Sequence, residues 1–495
     1  MVEEELFRKL RAILLSNQEE YGETYLVGGF VRDKLSGRPS KDFDFVLERN
    51  SIHAAKSIAD HFGGSFYVMD DARQIARALI TPHGRDEVII DCSHLAPQGI
   101  LEDLENRDFT INAIALNIES PEVYIDPLKG MEDLKQKYLN LCSPRSFILD
   151  PVRSIRAVRF IVSFGLTFSD EIKQRMEESL PHLANVSSER IRDEVFKILS
   201  LGKTNESLLL MDEFGLLSQI FPELPALKDI GPAAPHVHNA LDHTLRVCEV
   251  MDLIIQSTVD NHTLGFSSLI EEAVQVFKPY CEALRQYFVR ELTPGRNLLA
   301  LTHFAALYHD SAKPLITSMI ENGKVSYPEH AERGTEIVYQ RGKALSLSTD
   351  ELEFVKQLVR RHMAMEFKPN EDNPEFNLWL YRLFQQAGFS AIAGCFMHLA
   401  DVLSTYEHNL SRERWQQALT SVGQILDGWF NRYYQVVEPL KLVSGNDIMR
   451  RFDLPQGPLI GDLIELVREK QVTGAVSSQA EAMLVVEREL AGRNG

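Results

Sequence analysis

Strand-like runs nearly vanish from this chain after about Leu149, and that boundary limits the available folds more than any other feature. Between Thr24 and Asp91 short apolar runs alternate with turns: Tyr25-Leu26-Val27, "SFYVM", "ARALIT" and "EVIID". One helix interrupts them, "SIHAAKSIADHF", with Ser51 at the expected N-cap position. Residues 4–15 repeat apolar positions at Leu6, Leu10, Ile13 and Leu14, a helix period. After Leu149 helical periodicity dominates to the C-terminus. The expected fold class is therefore α+β: a small mixed sheet carrying helices, followed by all-α segments. Breaks are expected at "LKDIGPAAPH" (227–236) and "EPLKLVSGND" (438–447).

At 495 residues the chain exceeds a single hydrophobic core, so about two to four domains are expected. A formal net charge of -19 argues against indiscriminate polyanion binding but leaves room for a local arginine-rich cleft. The five cysteines form no C-x-x-C and are odd in number, which points to reduced thiols and a cytoplasmic setting. The start "MVEEELFRKL" is acidic and unlike a signal peptide. No apolar run approaches about 18 residues, so no membrane span is expected, and no obligate protein partner is evident.

The stretch "YLVGGFVRDKLSGRPSKDFDFVLE" (25–48) carries the first chemistry. Gly28-Gly29 ends a strand in a turn that lets backbone N–H groups approach a phosphate. Asp42 and Asp44, two apart in the next strand, share a face. Adjacent carboxylates repel unless a cation lies between them, and a divalent metal with a phosphate customer is the usual answer. Asp91, ending "EVIID", is a third acid that an adjacent strand could set beside the pair. A surface acid at a strand end is the plain alternative.

"LVGGFVRD" with "KDFDFV" resembles the signature of the class II tRNA nucleotidyltransferase and bacterial poly(A) polymerase family, within the DNA polymerase beta-like nucleotidyltransferases. "EDLENRDFTINAIAL", "YIDPLKGMEDL", "DPVRSIRAVRF" and "SSERIRDEVFKIL" follow in the same order. The resemblance implies that Asp42 and Asp44 hold catalytic Mg2+, with Asp91 as third carboxylate, and that Gly28, Gly29, Arg32 and Asp33 shape a triphosphate site. It assigns Arg107, Asp108 and Asn112 to ribose recognition, and Asp150 and Arg153, three apart on one helix, to selection of the incoming base. Arg156 and Arg159 continue that face toward phosphates. Asp150-Pro151 also reads as a helix cap with a first-turn proline.

Three departures from the family pattern bear on nucleotide choice. Asn106 stands where a first arginine is usual, Leu149 where a glutamate is usual, and the link "CSHLAPQGILEDLEN" from Asp91 to the "RDF" motif is short. In the family that loop is associated with switching from C to A addition, and members lacking it tend to add only C.

A second group lies in helical surroundings: His243, His309-Asp310 followed by Lys313, His330, His362 and Asp401. This order resembles the HD-domain phosphohydrolases. The resemblance implies one divalent ion on His243, His309, Asp310 and Asp401, with His330 and His362 completing a second site or meeting phosphate. Imidazole with carboxylate suits a transition metal. Singly, each histidine reads as a hydrogen-bonded core residue.

The expected domains are a nucleotidyltransferase head (1–140), a nucleotide-selecting and RNA-binding neck (141–226), an HD metal-binding domain (236–405) and a helical, tRNA-facing tail (406–495). In the tail, Leu459, Ile460, Leu463, Ile464, Leu466 and Val467 form an apolar helix face, and Gly457, Gly461 and Gly474 allow close backbone approach. Arg450, Arg451 and Arg468 read equally as a basic cluster or a solvated face. The implied activity is addition of C, A or both to the 3′ end of tRNA from CTP and ATP. Poly(A) tailing and a phosphohydrolase with a nucleotide-sensing first domain are the alternatives.

Overall fold

The computed structural model describes residues 2–40, 42–82, 87–259, 267–321, 324–367 and 375–493. They form two compact units, one of Met1–Arg190 with Glu213–Leu216, the other of Ile191–Asp212 with Leu217–Gly495.

In the first unit the expected mixed sheet is present, with helices on it. Its elements are α1 (Val2–Ser16), α2 (Gln18–Tyr21), β1 (Thr24–Val27), α3 (Gly29–Leu35), β2 (Asp42–Leu47), α4 (Ser51–Phe62), β3 (Ser65–Asp70), β4 (Ile75–Ile80) and β5 (Val88–His94). After these come α5 (Ile100–Glu105), β6 (Ala115–Asn117), β7 (Tyr124–Ile125), α6 (Gly130–Gln136), α7 (Ser146–Leu149) and α8 (Val152–Phe164). The strand order is β3-β4-β5-β2-β1-β6-β7. Within this sheet, among the described residues, β2 and β5 pair in parallel and the other neighbours antiparallel.

One core joins Leu6, Leu10 and Leu14 of α1 and Ala54, Ala55 and Ile58 of α4 to Phe43, Phe45, Ala76, Ala78, Ile90 and Cys92 of the strands. Those strand residues are one position out of step with Asp42, Asp44, Arg77 and Asp91. Strand alternation therefore sends the charged residues to the other face. A one-residue slip of β2 would bury two carboxylates and expose Phe43 and Phe45, each worth about 1.5–3 kcal/mol when buried, so the register is strongly held.

One local expectation is corrected. Ser51 is the first helical residue of α4, not its cap: Asn50 occupies the cap position at φ 51, and the Ser51 hydroxyl donates to the Gln74 carbonyl at 2.6 Å. The short strands β6 and β7 carry little periodicity of their own: β6 forms on the edge that β1 offers, and β7 on β6.

The second unit is helical apart from two small hairpins, Glu291–Thr293 with Arg296–Asn297 and Met319–Glu321 with Lys324–Ser326. Helix Leu298–Tyr308 buries nearly every residue, as its sequence "LLALTHFAALY" demands. His303 within it is a core histidine, with Nε2 at 2.9 Å from Asp252 and Nδ1 at 3.0 Å from the Leu299 carbonyl. Near the C-terminus, helix Pro458–Val472 buries Ile460, Leu463 and Val467, with Leu459 and Ile464 partly buried against the same core, as its apolar face suggests. Gly457, Gly461 and Gly474 have no protein atom within 4 Å of where a Cβ would stand. Arg468 lies 3.7 Å from Glu465, a solvated pair. Among the described residues no single helix is long and apolar enough to cross a membrane.

Glu351 serves two purposes in this unit: its carboxylate accepts from the Ser348 N–H at 2.7 Å, closing a capping box, and from Arg296 Nε at 2.6 Å. Both side chains are almost fully buried. Arg296→Met should cost about 3–5 kcal/mol, because it leaves a buried carboxylate without its cation. Urea denaturation measures this, and a loss below about 1 kcal/mol would show that the pair is not structurally important.

Candidate active site and metal centre

The Gly-Gly turn and the paired acids meet as the alternation requires. Gly28 adopts φ 72, a left-handed conformation that favours glycine. A Cβ there would lie 2.9 Å from Asp44 Oδ2 and 3.1 Å from Arg107 Nη1, so only glycine lets the turn close against both. Asp91 stands opposite Asp44 in the parallel β2–β5 ladder, and Asp42 is two residues further along the same face. Asp91 is also the register partner of Arg77 in β4, which donates to both its oxygens at 2.7 and 2.8 Å. Burial pushes the Asp44 carboxyl up to about 6; Arg107 opposes the shift, Asp91 and Asp42 add to it, and Arg77 opposes it.

A second network surrounds α3. Arg32 donates to Asp33 Oδ1 from Nε at 2.9 Å and Nη2 at 2.7 Å, and to Asn112 Oδ1 from Nη1 at 2.6 Å. Asn112 Nδ2 donates to Asp108 Oδ1 at 3.0 Å, and Arg156 Nη2 lies 2.9 Å from Asp108 Oδ2. Burial works against an ionised Asp108, yet Arg156 and the hydrogen bonds from Asn112 and the Phe109 N–H hold its carboxyl below the usual range. Arg32 and Arg159 both lie over the Phe160 ring, at 4.9 and 4.4 Å. Arg32, Asp33, Asp108, Asn112, Arg156 and Arg159 are thus gathered in one place from α3, the segment after α5, and α8. Arg107 is tethered beside Asp44 by Asp103, whose Oδ2 accepts from Nε and Nη2 at 3.1 and 3.0 Å.

Asp150 and Arg153 differ from expectation. Asp150 precedes α8 in an extended conformation, φ -146 and ψ 93, because a residue before proline is driven out of the helical region. It does not cap α8, which has no side-chain cap. Its carboxylate takes Arg190 at 2.7 Å, with Arg153 at 3.8 Å. The Arg153 fork donates to the carbonyls of Asn106 (2.9 Å) and Arg107 (3.1 Å) and to the Ser146 hydroxyl (2.8 Å). Leu149, where the family usually has an acid, is 62% exposed. Arg77, Asp103 and Arg190 escaped the sequence reading. An arginine inside the otherwise apolar "ARALI" was the one available signal.

The second unit assembles all six expected ligand residues. Ligand atoms of His243, His309 and Asp310 lie within 4.8 Å of one another, as do those of Asp310, His330 and His362. Asp401 Oδ1 is 3.1 Å from His243 Nε2. The rings of His309, His330 and His362 each place Nδ1 2.7 Å from a carbonyl of their own chain segment, that of Ala306, Tyr327 and Val359 respectively. That bond assigns a proton to Nδ1 and leaves Nε2 facing the shared carboxylate, 3.3 Å from Asp310 for His309 and 3.5 Å for His330. His309 Nε2 is buried without a hydrogen-bond partner, which suits a donor set awaiting a cation. Burial and the neighbouring rings hold His362 neutral, down to about 3. Burial opposes charge on Asp310 too, yet His309 and Lys313, the latter at 2.6 Å, hold its carboxyl well below the usual range. His236 was read as linker, but its ring sits 4.9 Å from that of His243. Imidazole nitrogens with hard carboxylate oxygens fit a first-row transition metal, and the paired aspartates of the sheet fit Mg2+.

Comparison with known proteins agrees with this geometry. The family described as "Poly A polymerase head domain" matches residues 24–140, the "Probable RNA and SrmB- binding site of polymerase A" matches 165–227, and the "HD domain" matches 259–406. The HD match begins after His243, which the fold nevertheless brings to the centre. A CC-adding tRNA nucleotidyltransferase of Geobacter sulfurreducens is 28% identical over 92% of this chain and 90% of that protein. A multifunctional CCA protein of Aliivibrio salmonicida is 31% identical over 52% of this chain and 67% of its own length. A solved CCA-adding enzyme in complex with ATP shares the fold, with TM-score 0.58 at 20% identity, covering 98% of this chain and 95% of that one. The chain belongs to the family of tRNA nucleotidyltransferases and bacterial poly(A) polymerases.

Proposed function

We propose that this chain extends the 3′ end of tRNA with CTP as donor, and that it adds C residues without the terminal A. The transfer reading rests on Asp42 and Asp44 sharing one face of the sheet while Gly28 packs against Asp44. These carboxylates would hold Mg2+, which activates the attacking 3′ hydroxyl and stabilises departing pyrophosphate. Gly28 and Gly29 bring the start of α3 to the triphosphate, with Arg32 and Asp33 in the same turn. Arg107, Asp108 and Asn112 orient the ribose. Asp150 and Arg153 read the base, and Arg156 and Arg159 supply positive charge to the phosphates.

The restriction to C rests on the link between β5 and α5. It runs only from Leu95 to Gly99, where family members that also add A carry a longer loop. Arg153 bonds the carbonyls of Asn106 and Arg107 at the far end of α5, so the base-reading arginine is braced against the segment that would have to move. A fixed brace favours one choice of base.

In this reading residues 1–140 catalyse, 141–226 select nucleotide and bind RNA, 236–405 hold a metal through the HD residues, and 406–495 face tRNA. His243, His309, Asp310 and Asp401 would bind one transition-metal ion, with His330 and His362 beside a second. Hydrolysis of phosphates at RNA ends is the chemistry that metal would support. Five unpaired thiols suit a cytoplasmic setting.

Extension of tRNA ending at the discriminator base, at C, and at CC tests the reading. CTP alone should carry the first two to CC, and ATP should add nothing to any of them. Incorporation of A onto the CC end would overturn the restriction, and no extension of any tRNA would overturn transfer itself. Asp42→Ala should abolish extension and spare metal binding at the histidine centre, while His309→Ala should do the reverse. Gly28→Ala should lower kcat/KM by about 100-fold, since its Cβ displaces Asp44 or Arg107 from a site that tolerates little misplacement. Retention of more than about a third of wild-type activity would show that the close approach is unimportant.

A further inference from the structure

One register row crosses the whole head sheet: Tyr67 of β3, Arg77 of β4, Asp91 of β5, Asp44 of β2, Val27 of β1, Ala115 of β6 and Ile125 of β7. Paired positions share a face, so a cation and two acids stand in sequence along it. Asp91 sits between Arg77 and Asp44. Both its oxygens accept from Arg77 in a side-on fork, the strongest and most directional arrangement available to this pair. The fork is anchored by an antiparallel ladder running from Ala76 to Ile80, so it is not a wandering surface contact.

Arg107, the other guanidinium beside Asp44, is likewise claimed by an acid of its own, Asp103. Arg77 and Arg107 are thus each held by a carboxylate other than Asp44. Asp44, by contrast, accepts no hydrogen bond and makes no ion pair among the described residues.

We propose that Arg77 is a positioning residue whose fork withholds Asp91 from the divalent ions, leaving Asp42 and Asp44 to hold them, while Asp91 keeps the guanidinium from turning onto Asp44. This rests on the reading that Asp42 and Asp44 bind the ions, and it assigns Asp91 an electrostatic role in place of a ligand role. Neither member of the pair works alone. Removing Asp91 frees a cation to occupy the place of the metal, and removing Arg77 frees a carboxylate to repel or replace Asp44. Removing both restores the local charge.

Mn2+ binding followed by electron paramagnetic resonance, with the full-length protein and no nucleotide, tests this. A histidine-centre variant, His309→Ala, serves as background so that only the head site is read. In that background Asp44→Asn should lose Mn2+ binding; if it does not, the ion-binding reading itself fails, independently of Arg77. Asp91→Asn should weaken binding at least about tenfold, the usual size of an effect transmitted through a neighbour of a ligand. Adding Arg77→Met to Asp91→Asn should bring affinity back to within about threefold of the background protein, as expected when both members of a pair are replaced together. A double variant as weak as Asp91→Asn would make Asp91 a metal ligand and overturn the proposal, as would an Asp91→Asn variant that binds normally. Broadening of the Mn2+ signal by oxygen-17 water gives a second readout on the background protein, whatever the folding of the double variant. Four or more bound waters are expected, about what two carboxylates leave on a six-coordinate ion, and three or fewer would place Asp91 on the metal.

Discussion

Keeping a carboxylate charged where water is scarce is the constraint around which the head is built. Asp44 is held on a rigid strand with an acid opposite it in β5 and another two residues away. Burial and both neighbours favour its protonated form, and only Arg107 and Arg77 pull the other way. A site so balanced has strong demand for a dication and a defined place to put it. The Gly28 turn closes on this carboxylate, α3 starts from that turn, and the arginines of α8 meet Asp108 and Phe160 beside it. Each part is positioned by the preceding one.

The helical unit answers the same problem with different chemistry. There the acids Asp310 and Asp401 are offset by imidazoles and Lys313. Because backbone carbonyls take the Nδ1 proton of three histidines, their orientation is set before any cation arrives. The contrast with His303 is instructive. It too is buried and bonded to a carbonyl, but its other nitrogen faces a single acid, Asp252, which also accepts from the Thr204 N–H. The cluster around Asp310 differs in gathering several imidazoles on one carboxylate.

Much of this was legible in the residues. The alternation of Phe43, Asp44 and Phe45 already separated a covered face from a reactive one, and helix periods located the rest of the fold. The spacing of His309-Asp310 with His243, His330, His362 and Asp401 pointed to one centre across more than 150 residues, counted from His243 to Asp401. What stayed hidden shares one cause: it depends on partners distant in sequence. Arg77 had no role assigned to it until β5 placed Asp91 against it. Asp150 looked like a helix residue or a cap, whereas proline pushed it into an extended backbone where Arg190 could reach it. His236 belonged to a linker by composition and to the histidine cluster by position.

The sequence by itself determined which groups exist, their face along each strand or helix, and hence the chemistry on offer, because those follow from local periodicity and side-chain type. The tertiary structure alone decided which charges neutralise one another. Pairing energy depends on separation and burial, and a guanidinium 14 positions away in the chain can stand 2.7 Å from a carboxylate once β4 lies against β5.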